Sequence, residues 1–416
     1  MMRATMRHLK SARLAGLWLG LAALPAIGQE SGISMPITVS GGALYSQRLQ
    51  FANPSNSPAT AGFRAVLYPT VKLGTHWFGY AAVQLRESPY FYYDAFFPEH
   101  EYYSTVMQAF IGYSMRKGNT AVVIKAGELA SAFGAFPLRY DDTDNPLLDQ
   151  PLSYITEIPL RTDQLPCGTN DLTHQNYGFV SNSCGGTPGG GAGLTPVTLY
   201  SLPGAQVDIS SGRFDGRFQV TSGSPANPRD ISQAGQYLQW AAGGGYTIRQ
   251  GFRIGMSGFR GPYLNENLAA ALPLGTTLRS FPASAIGVDG QWGHGRWSVN
   301  GEWQKFWFDS PNFSTAPGFT SGYGEVKTVI TPHLFVAGRA GWLSPGSVRD
   351  LSGITSNEFA KRLTAYELGA GYWLGRNELL KGSYEWMHSE GGSGTRSNVV
   401  GVQFVVRFNS LGWTFR

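Results

Sequence analysis

The sequence predicts an all-β fold, a transmembrane antiparallel β-barrel of about sixteen strands. Three observations predict it. Near the C-terminus, residues 398–408 read N-V-V-G-V-Q-F-V-V-R-F, with Val400, Val402, Phe404, Val406 and Phe408 on one face. Gly401, Gln403 and Arg407 take the other face, interrupted only by Val405. This period-2 alternation marks a strand with one apolar and one wet side. Second, similar segments recur along most of the chain, and a closed barrel is the one sheet that leaves no unpaired edge in hydrocarbon. Third, the composition fits: 55 Gly, 13% aromatic and only 14% charged residues, with no later apolar run long enough for a membrane helix.

The chain opens with Arg3, Arg7, Lys10 and Arg13, then an apolar run from Leu14 to Leu24 and small residues at Ala26 and Gly28. That order predicts a secretory signal over residues 1–28, leaving 29–416 as the barrel. The apolar run is too short to span a bilayer as a helix, and no Cys stands at the cut to take a lipid. Loss of the four basic residues lowers the formal charge from +5 to about +1. This balance gives no support to a nucleic-acid partner. The two cysteines, Cys167 and Cys184, lie in one polar segment and are expected to pair in an oxidising compartment.

In chain order, the first strand is expected over residues 37–46, then a polar loop with Asn53-Pro54 and Ser57-Pro58. The second (61–73) and third (75–86) meet at Gly74; Phe63, Ala65, Leu67 and Val71 alternate with Arg64, Tyr68 and Lys72. An aromatic loop follows over 87–102, then strands over 103–115 and 120–127. Residues 128–199 differ, being long, rich in Pro, Gly and Asp, and holding both cysteines. Two strands then flank a turn at 211–213, and two more cover 233–249 and 251–260. The tenth (284–292) turns at His294-Gly295 into the eleventh (296–308), where Trp297, Val299, Gly301 and Trp303 oppose Arg296, Ser298, Asn300, Glu302 and Gln304. The next pair meets at Thr331-Pro332-His333, where Pro ends a strand. Strands over 361–374, 378–388 and 398–408 complete an even count, with eight long loops and seven short turns. Leu411, Trp413 and Phe415 alternate again in shifted phase, so a bulge at Asn409-Ser410 is expected to carry the last strand to Phe415 rather than end it at Phe408.

Signal, sixteen strands, alternating loop lengths and one outsized third loop together resemble the bacterial outer-membrane porins. The resemblance is architectural and covers the mature chain without a specific sequence motif. It implies an outer-membrane location, a homotrimer set in lipid, and passive diffusion of small polar solutes and ions. It also implies that the third loop, here residues 128–199, folds toward the lumen and narrows the channel. The length of this loop and its cysteine pair depart from the family.

Within that loop Arg139, Asp141, Asp142, Asp144, Asp149 and Glu157 are the candidate constriction residues. Inward phases of the strands are basic-leaning, and Arg64, Arg86, Lys125, Arg217, Arg249, Arg253, Arg296, Arg339 and Arg407 are the candidate pore wall. An acidic loop facing a basic wall sets a field across the gap that orients dipolar solutes. The plainer alternative is a solvated turn-forming segment, since Asp and Asn-Pro favour turns. A calcium reading of Asp142, Asp144 and Asn145 lacks the Gly and distant Glu of a full loop, so no metal is assigned. The aromatic loop, with Tyr90 to Tyr93, reads as interfacial girdle and loop packing, or as a sugar platform. Trp292, Trp297, Trp303 and Trp342 are girdle candidates. No H-E-x-x-H or G-x-S-x-G occurs, and the Gly185–Gly193 run lacks the Lys-Ser/Thr of a phosphate loop, so neither an enzyme nor a cofactor is expected. The function expected is a passive channel. The alternatives are an anion- or carbohydrate-selective channel and, in another class, a plugged structural or adhesive barrel or an outer-membrane hydrolase.

Overall fold

A computed structural model of the chain describes residues 31–47, 57–88, 90–91, 101–139, 141–173, 183–186, 193–224, 226–228, 238–357, 359–390, 395–408 and 413–415. The expected signal and most of the aromatic loop lie outside these residues. The described residues build sixteen wall strands. They are β1 (Ile37–Tyr45), β2 (Ala59–Leu67), β3 (Trp77–Ser88), β4 (Glu101–Lys117), β5 (Thr120–Leu129) and β6 (Leu202–Ser211). Next come β7 (Phe214–Ser224), β8 (Leu238–Arg249), β9 (Phe252–Pro262), β10 (Pro282–His294) and β11 (Trp297–Phe308). The last are β12 (Gly318–Val329), β13 (Leu334–Pro345), β14 (Arg362–Trp373), β15 (Glu378–Glu390) and β16 (Thr395–Phe408). Each pairs antiparallel with the next, and β1 pairs with both β2 and β16, which closes the wall. The fifth strand runs two residues beyond expectation: Glu128 is in β5, opposite Pro203.

Local chemistry explains the elements. Gly118, Gly212 and Gly295 each hold φ of 58°, a left-handed value that suits the tight turns between β4 and β5, β6 and β7, and β10 and β11. Outward residues form an apolar belt in which Met256, Leu368, Ile111 and Val288 remain exposed in the isolated chain. Rings border it, as at membrane interfaces. Trp77, Phe214, Trp297 and Tyr372 lie by the short turns, and Tyr45, Trp240, Trp342 and Tyr366 towards the long loops. Val405, the one break in the alternation of the last strand, faces inward and packs against Phe335 and Leu379.

Two short strands extend the wall beyond β1 and β16. Ser31–Ser34 pairs with Thr70–Leu73 on one side and Trp413–Phe415 on the other. Between the Ile37–Phe408 and Ile33–Trp413 pairs, four steps on the first strand match five on the last. One residue is therefore extra on the C-terminal side, as a bulge requires. Positions 409–410, where the bulge was expected, lie outside the described residues.

The interior is not empty at the loop end. Phe259, Phe306, Phe308, Phe319 and Leu343 turn inward from the wall and meet Phe133, Phe136, Leu152, Leu160, Leu165 and Val197 of the long loop between β5 and β6. This is an apolar core inside a barrel whose outside is also apolar.

Candidate functional site: the lumen and its third loop

Residues 130–139 and 141–150 of the third loop lie along the inner wall as a belt. At β7, Gln219 accepts the Ala132 N–H at 3.1 Å, and Arg217 donates to the carbonyls of Ala132 (2.8 Å) and Gly134. On β9, Ser257 accepts from the Gly134 N–H. On β11, Glu302 accepts from the Ala135 N–H and, at 2.8 Å, from the Tyr154 hydroxyl. Arg139 pairs with Glu325 of β12 at 2.8 Å and donates to Tyr323. Arg339 of β13 reaches Glu325 (2.7 Å), Glu367 (3.4 Å), the Asp149 carbonyl (2.7 Å) and Asn145 Oδ1 (2.8 Å). At the far end, Arg64 meets Asp142 at 3.0 Å, and Asp142 also accepts from Ser40 and Tyr90. Tyr68 and Thr38 donate to Asp141.

Pairing register explains why these side chains share the lumen. Glu325, Arg339, Glu367 and Glu385 stand directly opposite one another across β12 to β15, so all four face inward. Two carboxylates opposed across strands repel. Glu367 is compensated by the N–H groups of Leu148 and Asp149, at 2.9 and 3.3 Å. Buried charges persist only with such partners.

Lys381 of β15 is an anchor that lies outside the candidate residues. Its side chain is 1% exposed, and its ammonium donates to the carbonyls of Asp142 (2.8 Å), Asn145 (3.1 Å) and Leu147 (3.1 Å). Two of these, Asp142 and Asn145, belong to the turn that suggested calcium, and there the Lys381 ammonium supplies a cation. Asp142 is directed to Arg64 instead, and no cluster of three or more His, Cys, Asp or Glu fit for a metal occurs among the described residues.

The second half of the loop forms a cap at the loop end of the barrel. Its described residues include a short helix (Leu152–Ile155) and a strand pair, Gln164–Pro166 with Ser183–Gly186, linked by the Cys167–Cys184 disulfide, Cα–Cα 5.0 Å. Asp350, from the loop between β13 and β14, accepts from Thr169, Ser352 and the Ile354 N–H. These donors, Ser352 first, hold its carboxyl down at about 2.

Neither a protein-family model nor a curated relative matches this sequence. Solved structures do match its shape. The outer membrane channel DcaP of Acinetobacter baumannii aligns at TM-score 0.53 and 9% identity, over 92% of this chain and 100% of that one. An anion-selective porin from Comamonas acidovorans aligns at 0.53 and 10%, over 91% and 100%. A trimer form of the Vibrio cholerae outer membrane protein OmpT aligns at 0.51 and 9%, over 91% and 100%. This chain has the porin fold.

Within that fold the candidate residues separate into groups. Arg139, Asp141, Asp142 and Asp149 lie in the belt. Glu157 lies in the cap, where it accepts from the Gly193 N–H at 3.0 Å, because the short helix turns the chain away from the belt. Arg64, Arg217 and Arg339 touch the loop directly, so charges that were expected to face one another across a gap are zipped together. Lys125, paired with Asp208 at 2.7 Å, and Arg253, between Asp215 (2.6 Å) and Asp289 (2.8 Å), line the lumen with side chains about a quarter exposed. Arg86 lies near the rings of Phe91 and Tyr103, each 5.7 Å away. Arg249 and Arg296 sit exposed by the short turns, and Arg407 is exposed at the turn end of β16. Of the aromatic loop, Tyr90 is buried and hydrogen-bonded to Ser40, Asp142 and Gln403, which is packing rather than display.

Belt carboxyls differ in their electrostatics. Burial alone would raise Asp141, but donation from Tyr68 and Thr143 brings it below the ordinary carboxylate range. Partial desolvation by the packed loop and then the neighbouring Asp141 raise Asp144, at the open end of the cluster. Burial and then Glu367 push Asp149 up to about 7. The folded chain thus holds, at Asp149 and the carboxyl beside it, a proton that an unfolded chain, at 3.8, has released. That contribution to stability is complete below 3.8 and is lost as pH rises through about 7. We expect detergent-solubilised protein to lose thermal stability across this window, and Asp149→Asn to flatten the dependence. Equal pH slopes for the two proteins would exclude the assignment.

Proposed function

We propose that the chain is an outer-membrane channel through which small polar solutes and ions diffuse, along the gap between the belt and the inner faces of β3 to β6. One observation carries this reading. Belt anchors fall on β7, β9, β11 to β15, β1 and β2, whereas the inward side chains Lys125 and Asp208 of β5 and β6 keep 25% and 28% exposure inside a closed wall. Charged groups in a wet lumen tune which ions pass. Around the gap Lys125 meets Asp208, Arg253 stands between two acids, Asp215 and Asp289, and Arg217 directs its donors to carbonyl oxygens rather than to a carboxylate. Three bases against three acids leave no surplus of either sign.

Single-channel recording in a planar bilayer, with a salt gradient, tests both levels. Discrete steps with a reversal potential near zero are expected, and Lys125→Glu is expected to move that potential to the cation-selective sign. Folded protein that gives no steps would exclude a channel and favour a plugged barrel. A homotrimer belongs to the same proposal, and crosslinking of the folded protein in detergent checks it.

A further inference from the structure

The geometry points to a ring-binding subsite on the uncovered lumen wall, suited to the flat face of a carbohydrate ring. The inference rests on the channel reading and names the solute class it serves. Two inward rows carry it. Tyr80 of β3 stands opposite Phe110 of β4, and Phe78 stands opposite Gly112, which is opposite Lys125. The ring centroids of Phe78 and Phe110 are 6.1 Å apart at 83°, and those of Tyr80 and Phe110 are 5.4 Å apart at 38°. Lys125 Nζ stands 5.3 Å from the Phe110 ring. Gly112 makes room for this arrangement, since a Cβ there would collide with the Phe78 ring.

All three rings are half-buried, although the same barrel buries Phe133, Phe259, Phe306 and Phe308 completely at its loop end. Aromatic surface left in contact with lumen water loses the stabilisation that burial brings, about 25 cal/mol per Å². Binding sites accept that loss, because such pockets are largely apolar with a few placed polar groups. Here the polar groups are a donor and an acceptor side by side, Lys125 and Asp208 at 2.7 Å, with Gln206 opposite Lys125 on β6. The pair carries no net charge, so it suits neutral hydroxyls better than a carboxylate. An apolar face bordered by donor and acceptor is the complement of a pyranose, which has C–H groups on its face and hydroxyls on its rim.

The test records ion current through the full-length folded protein with maltose added to one side, and with sorbitol as a polyol that has no ring face. Maltose is expected to interrupt the current at concentrations where sorbitol does not. Tyr80→Leu and Phe110→Leu are each expected to weaken that block about fivefold, the effect of one aromatic contact of about 1 kcal/mol. Discrete current steps from these variants show that the pore is still formed. Current steps with no maltose block, an equal effect of sorbitol, or undiminished block in both variants would overturn the subsite while leaving the channel standing. Absence of steps in the wild-type protein would overturn both.

Discussion

Arg339→Met is expected to release the belt from the wall. The guanidinium, 6% exposed, sits between Glu325 and Glu367, whose side chains are 1% and 4% exposed. It also holds the Asp149 carbonyl and Asn145 of the loop. Removing one member of a buried charge network leaves the others unpaired, a loss of about 3–5 kcal/mol. The barrel has sixteen paired strands to withstand that; the belt has only its anchors. We therefore expect the variant to fold, to show larger unitary conductance, and to expose residues 141–149 to a protease added from the loop side. Lys381→Met acts on the same turn from the other side and is expected to give the same phenotype. Wild-type conductance and protection in both variants would show that neither side chain holds the loop.

Phe306→Ala is expected to give the largest loss of stability. The ring is 0% exposed, stacks on Phe319 at 4.6 Å, and meets Phe133 of the loop at 5.7 Å. Truncation of such a ring removes about 3–5 kcal/mol by transfer and cavity together. It acts where wall and cap share one core, so both loosen. Urea unfolding in detergent should shift strongly for Phe306→Ala and hardly at all for Val402→Ala, whose side chain faces outward and is 50% exposed. Equal shifts would mean that the apolar core of the cap adds nothing to the wall.

Much of the wall was legible in the sequence because alternation is local. In the tenth and eleventh strands the turn at His294-Gly295 and the outward Trp297 and Trp303 lie where the pattern set them. Inward phases of Arg64, Lys125, Arg253 and Arg339 were likewise readable, since neighbours two residues apart share a face. Partners were not readable. Lys381 and Asn145 lie 236 positions apart, and Arg339 and Asn145 lie 194 apart. No local pattern says which inward base meets which loop oxygen. The clustered Asp residues therefore read as a field or a metal turn, while the folded chain surrounds them with Arg64, Tyr68, Tyr90 and Lys381.

The sequence by itself determined the barrel class, its strand number, the alternation of long loops and short turns, and the pairing of its two cysteines. These follow from period-2 hydrophobicity, turn residues and a count of thiols, which a short window contains. Tertiary structure alone decided that the third loop divides into a belt and a cap, that wall arginines and Lys381 fasten it, and that an aromatic strip near Lys125 is left facing water. The physical reason is that each of these depends on desolvation. A charge or ring declares its role only when closure of the wall has set which groups share its dry space and which share its wet one.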